Sequence, residues 1–139
     1  MAWFVRVCMG LVLLGIVSTV LAEEAPAPVE AEVRYLPLQP AFVCNFGLSQ
    51  DGHLMYVKAD ISVRLSSRDA ELAARNHLPA LRNSLVLLLS RQDEASVSTS
   101  AGRESIRALA LAELNEILMQ EEGFEYIDDL MFTNFVVQR

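Results

Sequence analysis

Few residues in this chain could do chemistry: the histidines His53 and His77, the cysteines Cys8 and Cys44, and the adjacent carboxylates Asp128 and Asp129. A metal site needs ligands at spacings that let them converge, and no His-Glu-x-x-His, Cys-x-x-Cys or acidic calcium-loop pattern occurs. A serine nucleophile would need a Gly-x-Ser-x-Gly elbow, and a phosphate a glycine-rich cradle; the sequence has neither. His53 follows a turn at a strand end, and His77 closes a helix, where a cation meets the macrodipole favourably. Asp128 and Asp129 point to opposite faces of an extended segment, so they cannot act together as acid and base, and a solvated turn suits them. Cys44 reads either as a small buried apolar side chain or as a thiol free to pair between chains. These residues predict no catalytic group, no cofactor and no metal, hence a protein that is not an enzyme.

The elements that would position these residues are easier to read. Pro37 and Pro40 remove ladder donors from the opening segment, so its first half is an edge or entry, with the strand proper over residues 41–46. Residues 47–52, with Asp51-Gly52, form a turn. In residues 53–65, Met55, Val57, Ala59, Ile61, Val63 and Leu65 alternate with polar or amphipathic side chains, which predicts a long strand wet on one face. Ser66 to Asp69 offer N-caps, and a helix follows that Pro79 breaks near Leu78 before it resumes over residues 80–89. Residues 91–98 read as a polar connection. Thr99 or Ser100 caps a helix to about Gln120, with Ile106, Leu109, Ala110, Leu114, Ile117 and Leu118 on one stripe and Gly123 ending it. Residues 127–138 read as a closing strand covered on both faces. The order β-β-α-α-β predicts an α+β fold, an antiparallel or mixed sheet with helices on one face.

Ahead of this domain, residues 1–22 carry one charge, Arg6, then an apolar run ending Val20-Leu21-Ala22 before Glu23-Glu24. That is a secretory signal with a candidate cut between Ala22 and Glu23, or an uncleaved anchor of about 20 residues with Arg6 snorkelling. Either reading exports the rest. Residues 23–34, rich in Glu and Pro, read as an acidic extended linker, and residues 35–139 as the folded domain. Beyond residue 22 the chain has ten basic and eighteen acidic residues, a net charge of −8. Phosphate backbones and anionic lipid repel such a domain, so nucleic acid is excluded as a partner.

Several segments, in order, resemble the flagellar basal-body-associated FliL family. They are Tyr35-Leu36-Pro37-Leu38 with Phe42-Val43 and Asn45; His77-Leu78-Pro79-Ala80-Leu81-Arg82-Asn83 running into Leu87-Leu88-Leu89-Ser90; Ser98-Thr99 with Gly102-Arg103-Glu104, Ile106-Arg107 and Leu114-Asn115; and Leu130 to Gln138. The resemblance covers about residues 35–138. It implies a periplasmic domain related in fold to the stomatin and prohibitin group, assembling into rings. It also implies association with flagellar stator units in support of torque, swimming and swarming. Family members usually begin with a basic cytoplasmic stub and an uncleaved transmembrane helix, whereas here Arg6 is the only charge before the apolar run. A soluble periplasmic adaptor or chaperone of the same fold is the alternative that a cleaved leader would favour.

Interaction candidates follow from surplus apolar and charged surface. The run Leu85 to Leu89 is apolar all round, so Leu85, Leu88 and Leu89 either fill the core or meet a neighbouring subunit. Arg75, Arg82, Glu113 and Glu116 are candidates for pairing between subunits, and the edge near Tyr35 to Phe46 for strand addition.

Overall fold

The computed structural model describes residues 32–49 and 51–139. The leader, the candidate cut at Ala22–Glu23 and most of the acidic linker lie outside the described residues.

The two prolines divide the opening segment into strands Arg34–Pro37 (β1) and Phe42–Leu48 (β2). Both pair antiparallel with one side of the long strand Leu54–Leu65 (β3), β1 against Ser62 to Leu65 and β2 against Leu54 to Ala59. They run end to end as one interrupted edge, because proline is tolerated where a ladder donor is not needed. The interruption contains a cis peptide bond at Gln39-Pro40. The β2–β3 turn closes with Ser49 N–H donating to the His53 carbonyl at 2.8 Å, and Gly52 takes the left-handed φ of 79° that the turn requires. In β3 the alternation is exact: Met55, Val57, Ala59, Ile61, Val63 and Leu65 are all buried.

Four helices follow, Arg68–Asn76 (α1), Leu78–Ser90 (α2), Glu94–Ser98 (α3) and Ser100–Glu122 (α4), then strand Ile127–Gln138 (β4) on the other side of β3. The order is therefore β-β-β-α-α-α-α-β rather than β-β-α-α-β. The sheet is antiparallel throughout. Ser67 caps α1 by accepting from Ala70 N–H at 3.0 Å, and Pro79 lies in the first turn of α2, where its missing donor costs nothing. The expected polar connection contains α3 because Asp93 and Ser96 form a reciprocal capping box. Thr99 caps α4 through Gly102 N–H, and Gly123, at φ 81°, ends it.

The core lies between the helices and one sheet face. Leu81, Leu85, Leu88 and Leu89 of α2 and Ile106, Ala110, Leu114 and Leu118 of α4 pack on Phe42, Cys44, Val57, Ile61 and Val63. The closing strand departs from the expectation of two covered faces. It is an edge strand, and its broken alternation comes from two bulges that insert Asp128 and Thr133. These bulges put Ile127, Leu130, Phe132, Phe135 and Val137 on the core side although their spacing is not two.

Candidate interaction site

Charged side chains hold the sheet edges in place. Arg82, on α2, reaches the interruption between β1 and β2, donating through Nη1 to the carbonyls of Leu38 and Pro40, the latter at 2.7 Å. Its guanidinium lies 4.2 Å from the centroid of the Phe42 ring. Two carbonyls that the proline break leaves without ladder partners are thereby satisfied. At the other edge, Arg107 on α4 binds Asp129 through Nη1 and Glu104 through Nη2, the latter at 2.6 Å. Glu104 is held below the usual carboxylate range by that hydrogen bond from Arg107. Arg103 donates to the carbonyls of Val97 and Ser98 at the end of α3. Asn115, the buried polar side chain of α4, grips the start of β4: its Nδ2 donates to the Ile127 carbonyl at 2.8 Å, and Ile127 N–H donates to its Oδ1 at 3.0 Å.

The residues singled out from the sequence fall as follows. Leu85, Leu88 and Leu89 are buried in the protein's own core, at 1%, 4% and 0% exposure, so they cannot present a strip to a neighbour. The helical phase that turns them inward turns Val86 and Leu87 out, at 40% and 53%. Arg75 pairs within its own helix with Glu71 at 2.7 Å, and Arg82 clamps the edge as described. Glu113 accepts from Ser84 Oγ at 2.8 Å and from Arg91 at 3.1 Å, while exposed Glu116 accepts from Gln120 at 3.3 Å. Each of these charges has a partner inside the chain.

The chemically capable residues are likewise dispersed. His77 Nε2 lies 2.7 Å from Glu122, tying the α1–α2 junction to the end of α4, and His53 is exposed on the hairpin. Asp129 is held by Arg107 rather than solvated in a turn, and also accepts from Leu130 N–H. Cys44 is buried beneath α2, and burial pushes its thiol up. The alternative of a thiol presented to another chain does not fit that placement. Among the described residues no three His, Cys, Asp or Glu side chains gather as metal ligands, and no helix is long and apolar enough to cross a membrane.

What the surface offers is apolar contact. Leu87 and half-buried Ile117 line a groove between α2 and α4 with Glu113 and Glu116; Leu109, Met119 and Phe124 are also exposed. The apolar stripe read from the sequence included Leu109, but its position sits at the margin of the arc that meets the core and it is 54% exposed. On the open sheet face, Val43 and Val136 flank Lys58 across the three strands. Among the described residues, the outer sides of β1–β2 and β4 carry no strand partner.

The class that these observations define is a small α+β domain with an open antiparallel sheet, and among the described residues no metal-ligating cluster is assembled. Residues 35–138 match the family described as "Flagellar basal body-associated protein FliL", and the chain belongs to that family. It is similar to the flagellar protein FliL of Aquifex aeolicus, 27% identical over 112 residues, covering 81% of this chain and 65% of that protein. It is likewise similar to the flagellar protein FliL of Escherichia coli K12, 25% identical over 121 residues, covering 84% of this chain and 77% of that protein. The chain thus spans just under two thirds of the Aquifex relative.

Proposed function

We propose that this chain is a motor accessory protein whose domain sits in the periplasm at the flagellar basal body, assembles with further copies into a ring, and associates with stator units to support torque and motility. A fold relation to the stomatin and prohibitin group belongs to the same proposal. The observation that carries it is the family match across the whole folded domain. Free strand edges and exposed Leu87, Leu109, Met119 and Phe124 support it, since an assembling domain must offer such surface. An in-frame deletion tests the reading, together with retrieval of the stator's periplasmic domain by the tagged chain. Reduced swimming or swarming with the stator recovered is expected. Normal motility with no stator recovered overturns it.

The candidate cut at Ala22–Glu23 favours a second reading, a soluble periplasmic adaptor or chaperone. The mass of the mature N-terminus separates the two. A species beginning at Glu23 supports the soluble form, and one retaining the leader supports membrane attachment.

A further inference from the structure

At the start of β1 the acidic domain gathers positive charge. Arg34, Arg68 and Arg75 line a cleft of about 470 Å³ with Glu71 and Leu72, and Leu72 is 59% exposed. Glu71 is shared, 3.0 Å from Arg34 Nη1 and 2.7 Å from Arg75 Nη2. Arg68 is exposed, and it makes no hydrogen bond or ion pair among the described residues. Arg34 Nε is buried without a hydrogen-bond partner. Asp69 does not line the cleft, because it stands about 100° further round α1 than Arg68.

The chain itself supplies matching charge. Glu32, the first described residue, already sits 2.6 Å from Arg34 Nη2. Upstream lie Glu30, Glu24 and Glu23, with no basic residue between Arg6 and Arg34. In an extended chain Glu30, Glu32 and Arg34 share one side. The β1–β3 register, Arg34 opposite Leu65, carried back two residues sets Glu32 opposite Ser67, the N-cap of α1. The next carboxylate on that side then arrives at the first turn of α1, where unpaired N–H groups and Arg68 both favour an anion.

We infer that residues 30–31, the end of the acidic segment, lie back on this cleft, with Glu30 on Arg68 and the first turn of α1. The docking stands independently of the proposed role at the motor; its mechanical consequence rests on that role and on a retained leader. A docked segment leaves residues 23–29 as free tether, about 22 Å at about 3.1 Å per residue, against about 37 Å for residues 23–34. The arginine cleft would then set how high the domain stands above the bilayer.

The test is elastase cleavage after Val29 and Ala31 in the full chain, held in neutral-lipid nanodiscs if the leader is retained. Arg68→Ala removes an exposed side chain with no described partner, and circular dichroism checks that the fold is kept. The expected result is cleavage about fivefold faster in Arg68→Ala and in Glu30→Gln at low salt, and wild type rising to the same rate in about 0.5 M NaCl. Equal rates in all three proteins overturn the inference. So does protection that requires anionic lipid, which assigns the cleft to a headgroup, or protection that grows with protein concentration, which assigns it to a second copy.

Discussion

Asn115 shows why single residues matter more than their number in this domain. Its amide is the buried link between α4 and the first residue of β4, satisfying both backbone groups of Ile127. Asn115→Ala strands those buried groups without their partner, so a loss of about 2–3 kcal/mol is expected in urea unfolding. Asn115→Leu should do no better, because it fills the volume without restoring the bonds. The same logic applies to Glu71, held below its ordinary range by Arg75 first and Arg34 second. A depressed carboxylate stabilises the fold above its unfolded value, and that contribution disappears as pH falls through the folded one. Stability should therefore decline on acidification across and below the ordinary carboxylate range, and Glu71→Gln should flatten that part of the curve. A variant as acid-sensitive as wild type would show that Glu71 is not responsible. From sequence, Asn115 could be quoted as part of a resemblance but not explained, since its partner lies twelve positions away on another element.

At the scale of elements, close approach decides the sign of a substitution. Alanine ordinarily stabilises a helix relative to glycine by about 1 kcal/mol. At Gly102, in the first turn of α4, an added Cβ would come within 2.1 Å of the Ser96 carbonyl oxygen, because α3 lies directly on that turn. Backbone cannot yield as a side-chain tip can, so Gly102→Ala should lose about 1–3 kcal/mol, seen as a fall in Tm. A rise in Tm would mean that α3 does not pack there. Arg82→Met should keep the packing on Phe42 but release the Leu38 and Pro40 carbonyls. The expected cost is about 1.5–3 kcal/mol, with faster amide exchange along β1 and β2. Period and capping made β3, α1 and α4 legible in the sequence, and Pro79 marked the break between α1 and α2. The closing strand's placement was not legible. Its bulges at Asp128 and Thr133 shift the inward side chains off a period of two, and register against β3 is a tertiary fact.

Across the whole molecule, the core claims more of the apolar surface than composition suggested. Leu85, Leu88 and Leu89 are consumed internally, and Arg75, Arg82 and Glu113 are committed to partners within the chain. Among the described residues, surface left for other polypeptides includes Leu72, Val86, Leu87, Leu109, Met119 and Phe124, the open sheet face and the two strand edges. The sequence left Leu85, Leu88 and Leu89 open between core and neighbour, because an apolar run without polar interruption does not reveal which side meets the core. The chain belongs to a family described as flagellar basal body-associated, and the position of the domain at that structure is the central proposal. The most direct measurement is imaging of the chain carrying a periplasm-compatible fluorescent tag after Arg139, beside a labelled flagellar base. The account predicts foci that coincide with the motors and disperse when the stator is deleted. An even distribution around the envelope in fully motile cells would contradict it.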